Sequence, residues 1–368
     1  MSNNHYQENL LAKRTIQLRK MLKSLPSSCS DFISSISLTT SILTRLAYVI
    51  DLNAFFTYLQ EEIVEFSKVP PNEITDNQLA TISVRDVIQY AEYLTLYFKE
   101  EKSKDGNFTT TKTIRNHESG VMRKLSSLRS FFDYMQKCER IPTNVVTMVT
   151  LPKLHEKPIL YLVSEEVDRL LSITQNGEHL TPTQMRFHKL TRSRDIAILM
   201  LFLGTGIRVS ECVGINIEDL DFTSNALVVT RKGGNQVVLY FPQEVADSLQ
   251  NYLVDRNQIS AVNGHENALF LSLQKKRLSN RAVQLMVKKY SALAVPLKRK
   301  MSPHKLRSTF ATHLYHSTED IYLVADVLGH TDINTTRKHY AAMSDKRRRE
   351  AANNVHLPKT ENNSEKNN

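Results

Sequence analysis

Apolar residues recur along this chain at helical spacing. From Thr39 onward Ile42, Leu46, Val49, Leu52, Phe56 and Leu59 follow steps of three and four, the signature of one buried helical face. A second helical run covers Val84 to Phe98, and a third aligns Val121, Leu125, Leu128, Phe132 and Met135. Arg123 lies opposite that last stripe and Arg129 flanks it; each reads either as a solvated helix surface or as a phosphate contact. Ahead of these runs, residues 1–25 are polar and basic, with one short helix expected from Asn9 to Leu22. Pro70-Pro71-Asn72 marks a break, and KSKDGNFTTTK (102–112) reads as a loop.

The stretch LPKLHEKPIL (151–160) reads as an extended linker, because two prolines disfavour helix. Beyond it Ser164 is expected to cap a helix with Glu165 and Glu166 in its first turn. Asp195 to Phe202 forms another apolar helix, stopped at Gly204-Thr205-Gly206. The pattern then alternates: ALVVT (226–230) and QVVLYF (236–241) predict a hairpin with Lys232 at its turn. Helices resume after Pro242 and run to about residue 352, followed by a polar tail, 353–368. The fold class is therefore mainly α with a small antiparallel β-sheet. The organisation expected is an N-terminal extension (1–38), a helical domain (39–150), the linker (151–160) and a second domain (161–352).

Composition supports this reading. At 368 residues with 41% hydrophobic content, the chain can fill two or three cores, and its 10 glycines and 11 prolines are few. A net charge of +10 points to a polyanionic partner, of which nucleic acid is the commonest; the bland alternative is solubility alone. Cys29, Cys138 and Cys212 are odd in number and far apart, so neither a disulfide framework nor a cysteine zinc site is suggested. The N-terminus lacks an apolar signal core and no run reaches the ~18 apolar residues of a membrane span, so a cytoplasmic, membrane-independent protein is expected.

The chemistry concentrates late in the chain. PHKLRSTFATHL carries His304 and Arg307 one helical turn apart, LGHTDINTTRKHY carries His330 and Tyr340, GTGIRVSEC carries Arg208 and TRKGGNQ carries Lys232. Two guanidiniums suit the charge that builds on a phosphodiester under attack, because each planar fork meets two oxygens and stays protonated. Arg208 also follows a glycine turn at a helix start, where backbone N–H groups favour anions. A phenol can attack phosphorus, with histidine and a lysine moving the protons. A phosphotyrosine link would conserve the energy of the broken bond, so that rejoining needs neither ATP nor metal. Each piece alone is weak: HxxR arises by chance, and a lysine at a hairpin turn is ordinarily solvated. Their joint order and spacing carry the reading.

These motifs resemble those of the tyrosine recombinases of the integrase and Xer type. GIRVSE is similar to the first arginine box, TRKGGNQ to the lysine hairpin, HKLRSTFATHL to the histidine–arginine box, and LGHTDINTTRKHY to the second histidine with its nucleophile. The start of the chain and the hairpin look most like XerS-type single recombinases. The resemblance implies a helical core-binding (SAM-like) domain and a catalytic domain that form a C-shaped clamp on DNA. It implies that Arg208 and Arg307 hold the scissile phosphate, Lys232 is the general acid and His304 assists proton transfer. It further implies that His330 bonds the phosphate, Tyr340 is the nucleophile, and Glu211 supports the site without reacting. Tyr340 stands one residue further from His330 than is commoner in the family, and one residue turns a helix face by about 100°. Tyr315 and Tyr322 are the other candidates, both in helix patterns that packing explains.

No cofactor is implied. The partners implied are double-stranded DNA with a specific recombination site and further copies of the chain, four on paired sites, with DKRRREAANN after Tyr340 either docking on a neighbour or forming a surface helix. Chromosome-dimer resolution is favoured; a mobile-element integrase or a lapsed DNA-binding regulator are the alternatives, with a type IB topoisomerase and a metal-dependent nuclease further off. His313 and His316 raise the idea of zinc, but no cysteine or carboxylate stands at a matching position.

Overall fold

The computed structural model describes residues 2–102, 109–153, 159–231, 234–298 and 301–329. The chain divides into two compact units, one up to residue 157 and one from residue 158.

The first unit comprises α1 (Ser2–Leu22), α2 (Ser27–Ser35), α3 (Ile42–Glu62), α4 (Asp76–Ala80), α5 (Val84–Tyr93), the strands β1 (Leu96–Lys102) and β2 (Thr109–Arg115), and α6 (Glu118–Lys137). The stripe expected on α3 is buried, and Val49, Leu52, Phe55, Phe56 and Leu59 are sealed from solvent. So is the α6 stripe, and Phe131 joins it. Aromatic rings interlock between these helices, with Phe55 edge-on to Tyr90 of α5 at 5.0 Å between centroids, a geometry that the ring quadrupoles favour. α3 is long and apolar enough to cross a membrane, yet half of that stretch is buried inside this unit. Leu18, Leu25, Cys29, Phe32 and Ile33, from the segment set apart as residues 1–38, share the same core.

Three local expectations change here. α1 begins at Ser2, well before Asn9. The run expected to stay helical to Phe98 ends at Tyr93, and residues 96–102 pair with 109–115 as an antiparallel hairpin, so that 102 and 109–112 of the expected 102–112 loop are strand. The physical reason is a change of period. Leu96 and Phe98 are exposed whereas Tyr97 between them packs on the core, and the partner strand is rich in β-branched threonine. Residues 103–108 lie outside the described residues.

The second unit contains α7 (Ser164–Asn176), α8 (Pro182–Thr205), α9 (Val209–Gly214), β3 (Leu220–Asp221), β4 (Ala226–Thr230), β5 (Gln236–Tyr240), α10 (Gln243–Asn257), α11 (Asn280–Ala294), α12 (Pro303–Thr318) and α13 (Ile321–Leu328). Ala197, Ile198, Leu201 and Phe202 put α8 at the centre of its core. α8 starts at Pro182, well before Asp195, because Thr181 and Gln184 form a capping box there. Ser164 is the first helical residue of α7; the cap is Val163, whose N–H donates to Glu166 at 3.0 Å. The strands form one antiparallel sheet in the order β3-β4-β5. Leu227 and Val229 of β4 face the core while Val228 faces out, so the sheet is one-sided.

Candidate active site

α8 ends because Gly206 adopts a left-handed φ of 62°. A Cβ at that glycine would stand 2.4 Å from the Phe310 ring, so both conformation and space demand glycine there. The turn delivers Arg208 to the N-cap of α9. Glu211, one turn on and nearly sealed from solvent, accepts from the Arg208 backbone N–H at 3.0 Å and from its Nη1 at 2.9 Å. A buried carboxylate thus fixes both the backbone and the guanidinium of Arg208, whose other Nη donates to the Gly329 carbonyl at 3.2 Å.

Arg307 lies on α12 and is buried. Its Nη1 donates to the Gly206 carbonyl at 2.5 Å and its Nη2 to the carbonyl of Leu328. Arg208 and Arg307 therefore meet on consecutive carbonyls at the C-terminal end of α13, where the helix dipole places partial negative charge. A third arginine joins them: Arg231, at the end of β4, donates from Nη2 to the Val327 carbonyl at 3.1 Å. Sequence patterning singles out Lys232 in this hairpin and gives no reason to single out its neighbour. The available signal is a second cation on a turn beside two glycines, which is indistinguishable from a solvated residue until α13 is seen against it.

His304, one helical turn before Arg307, occupies the first turn of α12 and is exposed. Lys232, His330 and Tyr340 lie outside the described residues, as do DKRRREAANN and the tail. In the chain, however, Lys232 directly follows Arg231 and His330 directly follows Gly329. Of the alternative tyrosines, Tyr315 is partly buried against Ala311, Val324 and Leu328, as expected. Tyr322 is not explained by packing: α13 buries Val324, Ala325 and Leu328, and leaves Tyr322 68% exposed.

The arginines marked for phosphate contact in the first unit are tied to the protein. Arg123 pairs with buried Asp51, which also accepts from Ser127 at 2.7 Å, and keeps half its side-chain surface in solvent. Arg129 donates from Nη2 to the Val149 carbonyl at 2.9 Å and so fastens the segment after α6. His313 has its Nε2 bonded to the Leu162 carbonyl at 2.9 Å, a structural engagement. Among the described residues no group of three or more His, Cys, Asp or Glu side chains gathers around a point.

Comparison with known proteins identifies the family. The Phage integrase family matches residues 160–347. Tyrosine recombinase XerC of Caldanaerobacter subterraneus subsp. tengcongensis is 30% identical over 318 residues, 84% of this chain and 80% of the relative. XerC of Syntrophus aciditrophicus is 30% identical over 303 residues, 81% of this chain and 86% of the relative. Among solved structures, the fold is similar to that of the XerH site-specific recombinase bound to palindromic difH substrate. The TM-score is 0.61 at 19% identity, over 85% of this chain and 80% of that one. The Tn1549 transposon integrase in complex with circular intermediate DNA gives a TM-score of 0.61 at 18% identity, over 89% of this chain and 99% of that one. The chain belongs to the phage integrase family, the tyrosine-type site-specific DNA recombinases.

Proposed function

We propose that this enzyme cuts and rejoins duplex DNA at a specific recombination site through a 3′-phosphotyrosine, and that it serves chromosome-dimer resolution. The Xer-type motifs and the XerC relatives support that setting. The observation that carries the chemistry is the meeting of Arg208 and Arg307 on the Gly329 and Leu328 carbonyls, next in the chain to His330. A guanidinium has five N–H donors, so after its bonds to Glu211 and Gly329 Arg208 retains donors for a phosphate, and its side chain is 35% exposed.

In the proposed cleavage the Tyr340 phenol oxygen attacks phosphorus while the bond to the 5′ oxygen breaks. The phenol proton passes to His304, and the departing 5′ oxygen takes a proton from Lys232. Arg208 and Arg307 meet the charge that develops on the non-bridging oxygens, and His330 hydrogen-bonds to the same phosphate. Rejoining runs these transfers in reverse, with no metal or nucleotide consumed. Four protomers would pair two sites. Arg123, half exposed, is the better placed of the two first-unit arginines to touch a phosphate. A chain of charge +10 should bind DNA with an affinity that falls steeply with salt.

The test is covalent trapping. A nicked duplex carrying the host chromosome's dimer-resolution site is incubated with the enzyme in EDTA and run on a denaturing gel. Wild type and Tyr322→Phe should form a protein–DNA adduct, and Tyr340→Phe should not. An adduct that survives Tyr340→Phe but not Tyr322→Phe would move the nucleophile to α13. An adduct formed only on the ends of a mobile element would replace the chromosomal role.

A further inference from the structure

Arg231 is held at both of its ends. Its backbone N–H donates to the Asn235 carbonyl at 2.8 Å, and its carbonyl accepts from the Gly234 N–H at 3.1 Å, so the base of the β4–β5 turn is clamped. Its side chain leaves the sheet and reaches α13, where Nη2 donates to the Val327 carbonyl. The guanidinium also lies across Gly329: a Cβ on that residue would fall 1.8 Å from Nη1 and 2.3 Å from Cζ. The Nε is buried with no hydrogen-bond partner among the described residues. That costs free energy, so the carbonyl bond and the close fit over Gly329 must hold the side chain in place.

The two ends of this bridge matter for chemistry. One is the residue before Lys232; the other is the helix end that Arg208 and Arg307 grip, before His330. A lysine side chain is a flexible four-carbon stem. To protonate a leaving oxygen it needs a base fixed relative to the phosphate clamp, and a turn on a three-stranded, one-sided sheet does not supply that by itself.

We propose that Arg231 is a positioning residue for strand cleavage, tying the hairpin that leads into Lys232 to the α13 terminus on which the two phosphate-binding arginines converge. The proposal rests on reading Lys232 as the general acid. Misplacement by about 1 Å costs on the order of a hundredfold in rate, so Arg231→Ala should slow adduct formation by that order while leaving DNA binding unchanged. Arg231→Lys, which keeps the charge but not the planar fork, should recover part of the rate.

The deciding experiment replaces the bridging 5′ oxygen by sulfur in the nicked duplex. A thiol has a pKa of about 8.5 and leaves without a proton, so a defect in proton delivery disappears on this substrate and a defect in folding or phosphate binding does not. Adduct rates are measured for wild type, Arg231→Ala, Arg231→Lys, Lys232→Ala and the Arg231→Ala/Lys232→Ala pair. Slow cleavage by Arg231→Ala and Lys232→Ala with oxygen, restored for both with sulfur, supports the proposal. Wild-type cleavage by Arg231→Ala with oxygen overturns it, as does Arg231→Ala remaining slow on sulfur while Lys232→Ala recovers. If Lys232→Ala stays slow on both substrates, the general-acid reading falls and the double variant decides. Rates equal to Lys232→Ala keep Arg231 acting through the hairpin; a further drop removes it.

Discussion

Replacing Glu211 by glutamine exchanges one oxygen for an NH₂ group and should loosen Arg208. The carboxylate is 4% exposed and accepts two bonds, from the Arg208 backbone N–H at 3.0 Å and from Nη1 at 2.9 Å. Glutamine can keep one of them; its amide nitrogen then faces an N–H donor across the other. A hydrogen bond to a charged group contributes roughly 1.5–3 kcal/mol. Breaking a buried pair costs about 3–5 kcal/mol, but the Arg208 side chain is 35% exposed and water can take up part of the loss. The two considerations meet at about 2 kcal/mol, a large part of a typical total stability of roughly 5–15 kcal/mol. Urea unfolding of the second unit should show a lower midpoint with unchanged slope. Adduct formation should fall by more than stability alone explains, because the guanidinium is no longer aimed. A Glu211→Gln protein within about 0.5 kcal/mol of wild type, the ordinary scatter of surface substitutions, would refute the reasoning.

Gly329→Ala must place a Cβ inside the Arg231 guanidinium at a φ of 61°. It should destabilise by more than the roughly 1–2 kcal/mol of a left-handed residue, and by only that amount once Arg231→Ala is also present, as a double-mutant cycle by urea unfolding would read. All three cysteines are free, but only Cys138 is exposed, and burial pushes the Cys29 and Cys212 thiols well up from their ordinary value. A thiol-reactive dye should therefore label the native protein once and the unfolded protein three times; rapid labelling of Cys212 in the native state would contradict the packing around Arg208. Burial works against the Glu166 carboxylate, but hydrogen bonds from Lys298 and the Val163 N–H hold its pKa below the usual glutamate range. A depressed carboxylate stabilises the fold above its unfolded pKa of about 4.3 and loses that contribution as pH falls through the folded value. The stability gap between wild type and Glu166→Gln should thus be flat near neutrality and close below that range; a gap that widens in acid would show that the pairing with Lys298 is wrong.

Helical period and local chemistry were readable from the chain alone. The α3 and α6 stripes are legible because a face buried along its whole length repeats at 3.6 residues, and the β4–β5 hairpin because Leu227 and Val229 alternate with Val228. The motifs that carry Arg208, His304 and Arg307 are legible because each is local: a cation just after a glycine turn, and two residues one helical turn apart. The β1–β2 hairpin was not, since its apolar residues continue the α5 run and only the pairing of residues 96–102 with 109–115 reveals the change of period. Nor was the place of α1 and α2 in the first core, because α1 is polar and basic and α2 is short and rich in serine, so neither shows a long apolar stripe.

Which cations act together is set by packing between distant elements. Local patterning cannot tell Arg256, which fastens the Ala268 and Glu266 carbonyls, from Arg307, which fastens Gly206 and Leu328. Nor can it tell that Arg231 shares the end of α13 with Arg208 and Arg307. Those three side chains come from a hairpin, a helix cap and a helix interior, and no sequence period links them. Their meeting depends on how α8, α12 and α13 pack, because a carbonyl at a helix end becomes an acceptor for a distant guanidinium only once the core has set the distance between them.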